Sequence, residues 1–438
     1  MKQFFKIILG ISVILASIIL INKVLLYVLV DNAEDEVRYA MHELYEQNNI
    51  ETLFLGSSHV MFGYIPQILE DGLEENIWLA TSPVQRIDGS YHLLKEVLKT
   101  NDVKKVYVDM YYRQYRDIPE KRDEEILQYI WCISDYMKFG WNKIEFLLNA
   151  SSKDKYINSF FVPSRYGNYL LDLKRFERVV KSKRSEQYRE NKGPERFYKG
   201  TTTVAGEGGN PEMTSLIGPY DLARIENNII SEYSLKCLNK MVDLCKENNI
   251  ELVLVKTPLT YFHLAGMEDY TGFYEYFKQY ADEKGIEYVD FNLCKNDILP
   301  LEDEDFLDIH HLSGKGAEKY SKVFVDVMTN YDKQGREKLF YANVEEKIAD
   351  LPQQTFGIVY EPIDETLNTY EVRIVSNFPV DVEYQIILLD EDENEIELIQ
   401  DFEENNILKR IENATNCYKV VIRDKHTHVI YEEGNVYL

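Results

Sequence analysis

Positive charge is scarce in this chain of 438 residues: 49 Lys and Arg stand against 75 Asp and Glu, a net charge of −26 at pH 7. A polyanion of this kind lacks the basic footprint that nucleic acid requires, so nucleic acid is excluded as the main partner. Cysteine is sparse too. The five present (Cys132, Cys237, Cys245, Cys294, Cys417) are widely spread and form no C-x-x-C. Neither a zinc ribbon nor a dithiol redox centre is expected, and the cysteines read as buried small hydrophobes. The Gly-rich stretch 206–211 follows no strand and leads to no G-K-[ST], so it reads as a loop, not a phosphate cradle. Only one long apolar run exists, at the start, which excludes a polytopic membrane protein. No internal repeat is evident. With 45% hydrophobic and 13% aromatic residues the chain has material for packed cores, and its length suggests about three units.

The apolar run from Ile7 to Val30 is interrupted only by small residues, Asn22 and Lys23. At ~1.5 Å per residue it exceeds the ~30 Å of a hydrocarbon core, with Lys23 reaching for the headgroups. Lys2 and Lys6 precede it, while Asp31, Glu34, Asp35 and Glu36 follow. That asymmetry predicts a cytoplasmic N-terminus and a single-pass anchor over 1–31, with the rest of the chain on the extracytoplasmic side of the cell membrane. A cleaved signal peptide is the rival, but no A-x-A-like site follows the run.

Beyond the anchor, short apolar runs at 52–55, 77–80, 106–109, 251–255 and 288–291 predict buried strands. Helical periodicity at 35–49, 87–100, 231–248, 271–284 and 313–330 alternates with them. This rhythm predicts a mainly parallel sheet with helices on both faces over 32–342. A long insertion at about 117–225 divides it, aromatic at first (Tyr129, Trp131, Tyr136, Phe139, Trp141). Those aromatics suit either a sugar-stacking surface or the core of a helical subdomain. The insertion then turns basic, with ten Lys and Arg against four Glu over 174–199, either a solvated face or a contact for an anionic polymer or lipid headgroups. From 343 to 438 short strand-like runs between Asn, Asp and Pro turns predict a small β-sandwich-like domain. His426 and His428 would share one strand face there, without a third metal ligand.

Two motifs about 250 residues apart carry the chemistry. Phe54-Leu-Gly-Ser-Ser-His59 follows the first strand, and Asp308-Ile-His-His-Leu-Ser-Gly-Lys-Gly-Ala317 precedes the last helix. A serine at a strand exit stands at the carboxyl edge of the sheet, where open α/β folds place their sites. Its hydroxyl needs a base, and histidine serves best when a carboxylate fixes its Nδ1–H. Asp-x-x-His supplies both groups from one turn, so Ser58, Asp308 and His311 are the candidate catalytic residues. The same residues can be read as an ordinary turn and a helix entry capped by Ser313. A metal site from Asp308, His310, His311 and His59 is a further alternative; no metal and no cofactor is expected.

These motifs resemble the SGNH (GDSL-like) hydrolase and acyltransferase superfamily over about 50–330. Gly56-Ser57-Ser58 matches its G-D-S and makes Ser58 the nucleophile, while Asp308 and His311 match its D-x-x-H. The resemblance implies an SGNH-like three-layer α/β fold. The anchor makes the chain similar to membrane-attached members of cell-surface polymer D-alanylation and O-acetylation systems. The block that supplies a Gly N–H to the oxyanion hole reads Ala80-Thr81-Ser82-Pro83 here, and the one that supplies an Asn reads Asp109-Met-Tyr-Tyr112. Ser58 N–H, with Thr81 or Ser82 N–H or the Gln85 amide, is the candidate oxyanion set.

The resulting expectation is a serine-dependent O-acyltransferase or esterase acting on acyl esters of a cell-surface glycan or glycopolymer. A membrane-embedded acyltransferase is the expected partner. The alternative is a non-catalytic assembly or glycan-binding protein that keeps the fold.

Overall fold

The computed structural model describes residues 2–115, 118–209, 230–267, 270–330, 333–364, 369–378, 381–390, 392–409 and 417–437. The predicted limits of the insertion, Asp117 and Ile225, and the end of the Gly-rich loop at Asn210 and Pro211 lie outside the described residues.

Five short strands form the central sheet: β1 (Thr52–Gly56), β2 (Ile77–Thr81), β3 (Lys105–Asp109), β4 (Glu251–Lys256) and β5 (Glu287–Asp290). All pair in parallel, in the order β2-β1-β3-β4-β5. The middle positions of each strand are apolar or aromatic, as helices covering both faces require, and the polar residues fall at the strand ends. One layer centres on Leu53, Leu55, Val106, Val108, Leu252 and Leu254. The other centres on Phe54, Tyr107, Val253, Val255 and Phe324. Odd and even strand positions thus enter different cores, as a period of two requires.

The predicted strands and helices all occur, although the helix expected over 35–49 ends at Leu44. Within the insertion, helices Glu124–Ser134 and Trp141–Ala150 pack beside helix Ile87–Val97. A buried ion pair holds them there: Arg122 Nη1 lies 2.9 Å from Asp88 Oδ2, which also accepts from the Tyr233 hydroxyl at 2.9 Å. The insertion's aromatics divide between two roles. Trp131 is buried and donates from Nε1 to Ser159 Oγ at 3.1 Å, whereas Phe139 and Trp141 are exposed.

The C-terminal part is antiparallel throughout, as a three-stranded sheet, β10-β7-β6, and a four-stranded sheet, β12-β11-β8-β9. These strands are β6 (Thr355–Asp364), β7 (Thr369–Ser376), β8 (Val382–Leu389), β9 (Glu395–Glu403), β10 (Ile407–Lys409), β11 (Cys417–Asp424) and β12 (Ile430–Tyr437). The expectation that His426 and His428 share a strand face is corrected. Both lie in the turn between β11 and β12, where Asp424 Oδ1 accepts the His426 N–H and His428 takes a φ of 60°.

The core of this domain contains two residues of the α/β body. Phe262 and Ile309 are buried among Ile374, Tyr384, Ile386 and Tyr418. The helix Lys2–Leu29 is long and apolar enough to cross a membrane, over Ser12–Leu29.

β1 ends at a close approach. A Cβ on Gly56 would sit 2.4 Å from Val60 Cγ2 and 2.8 Å from Asp109 Cβ. Gly56→Ala is therefore expected to overpack the strand exit at ~1–3 kcal/mol of stability, read as a lowered urea midpoint with an unchanged slope.

Candidate active site

β1 delivers Ser57 and Ser58 to the carboxyl edge of the sheet, where helix Ser58–Gly63 starts. Only Gly allows this helix to turn so tightly against β3, as the contacts of Gly56 show. Ser58 is thereby the first residue of a helix, half-buried beside the sheet. Its Oγ lies 2.8 Å from His311 Nε2. On the far side of the ring, His311 Nδ1 lies 3.0 Å and 2.9 Å from the two oxygens of Asp308. The structure thus brings together the three residues singled out from the sequence, in the order a proton relay needs.

The turn that carries Asp308 and His311 is held from several sides. Asp308 Oδ1 accepts the backbone N–H groups of His310 at 2.7 Å and His311 at 3.0 Å. Leu307 N–H closes the turn on His311 O at 2.8 Å. Ile309 enters the C-terminal core, and its carbonyl accepts from Thr260 Oγ1 at 3.1 Å. Burial works against ionisation of Asp308. The hydrogen bond and charge of His311, with the His310 N–H, outweigh it and hold the carboxyl below its ordinary range. A carboxylate is what fixes the Nδ1–H tautomer and stabilises an imidazolium.

The oxyanion candidates differ in what they are bonded to. Ser58 N–H and Ser82 N–H have no hydrogen-bond acceptor among the described residues. The Gly56–Thr81 register of β1 and β2 brings Ser82 level with Ser57, on the same edge. The Thr81 hydroxyl donates to Gly200 O at 3.3 Å. Gln85 is corrected: its amide nitrogen donates to Ala80 O at 3.1 Å and Ser90 Oγ at 2.9 Å, so both its hydrogens are taken in the core.

Beneath the site lies a buried polar layer that the sequence did not announce. Asp109 and Lys256, at the ends of β3 and β4, are both fully buried, with Nζ 4.0 Å from Oδ1. Burial raises the Asp109 pKa, against the pull of Lys256, and lowers that of Lys256, against the pull of Asp109. Asp109 Oδ1 accepts from the Thr257 N–H and hydroxyl at 3.3 and 3.0 Å. The Tyr111 ring covers Lys256 and packs, tilted, on His59 at 4.0 Å between centroids, and His59 lies 5.2 Å from the His311 ring. Among the described residues no group of three or more His, Cys, Asp or Glu could hold a metal ion.

The Gly-rich loop ties the two motifs together. Thr201 Oγ1 and Thr203 Oγ1 both donate to Met61 O, at 2.5 and 3.0 Å, in helix Ser58–Gly63. A few residues on, Gly206 N–H reaches Gly314 O at 3.3 Å and Glu207 O accepts from Lys315 N at 2.7 Å. Glycine is required for this approach, since a Cβ on Gly314 would lie 1.8 Å from Val204 O.

Comparison with known proteins adds little to this geometry. A protein-family model matches residues 220–332, the stretch with β4, β5, Asp308 and His311. No curated protein matches the chain. Among solved structures, the chain is similar to a crystal structure of a GDSL-like lipase from Bacteroides thetaiotaomicron VPI-5482. Identity is 12%, covering 70% of this chain and 98% of that one, with a TM-score of 0.30. That superposition is loose, and the functional reading rests on the site's own geometry.

Burial, and after it the charges of Lys256, Arg113 and neighbouring histidines, keeps a histidine cluster neutral. His59 lies well below its ordinary pKa, His263 at about 3 and His310 at about 2. The unfolded chain binds protons at these positions below pH ~6.5, and the folded chain does not. Stability should therefore fall as pH drops below ~6.5, by up to ~1.4 kcal/mol per pH unit for each histidine. Urea unfolding between pH 4 and 7 checks this, and His263→Gln should make the slope shallower.

Proposed function

We propose that this chain is an SGNH-type, serine-dependent acyl-ester transferase or hydrolase. It is anchored in the membrane by its N-terminal helix and acts outside the cytoplasm on acyl esters of a cell-surface glycan or glycopolymer. The observation that carries the reading is the continuous relay from Ser58 Oγ through His311 to Asp308, at 2.8 and 2.9 Å. Its position at the carboxyl edge of a parallel sheet agrees with it.

In this mechanism Ser58 Oγ attacks the acyl carbon while His311 Nε2 takes its proton. Asp308 orients the ring and stabilises the imidazolium. Ser58 N–H, with Ser82 N–H, donates to the oxygen that gains charge. Collapse of the adduct breaks the ester C–O bond, and His311 returns the proton to the departing alcohol oxygen. The acyl-serine is then cleared by a hydroxyl that His311 deprotonates, from water in hydrolysis or from a sugar in transfer.

Anchoring favours transfer. It confines the site to the surface that also holds a membrane-embedded acyl donor, at high effective concentration. A sugar hydroxyl must outcompete water, which needs a groove that positions it. The insertion, whose residues Thr201, Thr203, Gly206 and Glu207 bond to the segments that follow both motifs, is the element that supports such a groove.

A second reading, a non-catalytic glycan-binding or assembly protein, is favoured by the missing Gly and Asn blocks and by the Gln85 amide, which is spent elsewhere. A fluorophosphonate probe separates the two. Catalysis requires a covalent adduct on Ser58, absent in Ser58→Ala. Labelling of no residue, or of Ser57, would end the catalytic reading. Asp308→Asn should cost about 10⁴-fold in turnover, measured with an activated acetyl ester at matched thermal stability.

Direction of transfer is read by supplying that ester with candidate oligosaccharides. Acylated sugar should form at the expense of free acetate. Acetate released at one rate with and without every acceptor would make the enzyme an esterase.

A further inference from the structure

The last carbonyls of a helix have no partner within it and carry partial negative charge. At the end of helix Lys2–Leu29 they are met by the basic part of the insertion. Lys183 Nζ donates to Leu26 O and Tyr27 O, both at 3.1 Å, and Arg175 Nη2 donates to Leu29 O at 3.0 Å. Helix Leu173–Ser182 lies against the end of the apolar helix, and Arg178 pairs with Asp31 at 3.6 Å. The basic stretch is therefore not wholly a solvated face: Arg175, Arg178 and Lys183 engage the end of the apolar helix, while Lys174, Lys181, Arg184 and Arg189 stay exposed. It is a collar around the extracytoplasmic end of the anchor.

The depth of this collar follows from length. Twenty-eight residues at ~1.5 Å each give about 42 Å, against ~30 Å of hydrocarbon. About a third of the helix thus lies at headgroup level or beyond. Tyr27 is in its final turn, and the insertion presents Tyr169, Leu170, Leu171 and Leu173 to the exterior beside it, Leu171 at 93% exposure. Such a ridge is costly in water and ordinary at an interface.

Between the helix end and the collar a cavity of about 620 Å³ opens, lined by Tyr27, Arg38, Lys183, Arg184, Tyr188 and Arg189. Its charge is of one sign, in a chain that is otherwise strongly acidic. Arg38 is only 8% exposed, and its Nη1 is buried with no hydrogen-bond partner among the described residues. Its Nη2 is held by Tyr188 O at 2.7 Å and by Asn191 Oδ1, and Tyr188 stacks on the guanidinium at 3.9 Å. A planar donor fixed in this way, with one nitrogen unspent, suits an oxygen-rich anion. Burial, opposed by Asp31, draws the Lys183 ammonium down to about 8, still protonated at neutral pH. Two of its three hydrogens go to the helix carbonyls, which leaves one for a ligand.

We infer that this cavity binds the phosphate of an anionic lipid headgroup at the outer surface of the membrane, with Arg38 and Lys183 as its floor and Arg184 and Arg189 at its rim. The inference rests on the reading of the N-terminal helix as an anchor. The site would fix the rotation of the ectodomain about its anchor, and hence where the catalytic edge faces.

The test uses the full chain purified from membranes in a neutral detergent. Its intact mass shows first whether residues 1–31 are retained; a chain lacking them overturns the anchor reading, independently of any lipid result. Native mass spectrometry then counts bound dioctanoyl phosphatidylglycerol, dioctanoyl phosphatidylcholine and inorganic phosphate. One phosphatidylglycerol is expected to be retained in preference to phosphatidylcholine. Arg184→Ala with Arg189→Ala, both exposed positions, should weaken it by about 30-fold. Arg38→Met should do likewise if it folds. Equal binding of the two lipids, or an unaffected double variant, overturns the site. Inorganic phosphate that displaces the lipid at equal concentration overturns the lipid as its source and leaves a free-anion site.

Discussion

One carboxylate organises the carboxyl edge of the sheet. Asp308 Oδ1 receives two backbone N–H groups of its own turn, and the same carboxylate receives His311 Nδ1. The backbone bonds fix the turn, and the turn fixes the ring, so the imidazole is aimed before any substrate arrives. Pre-organisation of this kind removes reorganisation from the reaction step. The rest of the molecule supports that turn: the Gly-rich strap on one side, the C-terminal core on another, and the sheet edge with Ser58 in front.

Much of this was legible in the residues. Buried parallel strands are near-continuous apolar runs, and each of the five was readable for that reason. Gly-Ser-Ser at a strand exit and Asp-x-x-His before a helix combine local spacing with a position in the fold. What the sequence hid is of two kinds. The helix Ser58–Gly63 is too short to show a period. Strand β9 lies at a sheet edge, where Ile396 and Leu398 stay exposed among Glu395, Glu397 and Glu403, so no buried apolar run marks it.

The second kind is chemistry made by distant pairing. Asp109 and Lys256 come from strands separated by the whole insertion, and nothing local marks them as one buried pair. Gln85 has the right residue type near the right strand, yet folding spends its amide on Ala80 and Ser90. The basic residues of 174–199 also looked like surface charge. Only the fold shows that Lys183 and Arg175 face the carbonyl end of another helix. In each case the partner, and not the residue, carries the information.

Ile309 has a consequence of its own. It sits between Asp308 and the histidines, yet its side chain belongs to the hydrophobic core of the C-terminal sheets. The turn is thus shared property of two folding units, and its geometry lasts only as long as the less durable of them. If the sandwich opens on heating, or is nicked in one of its turns, the wedge that seats His311 is withdrawn while the parallel sheet still stands. Loss of function would then precede loss of the main fold. The C-terminal domain thereby sets how long the Asp308–His311 turn keeps its shape.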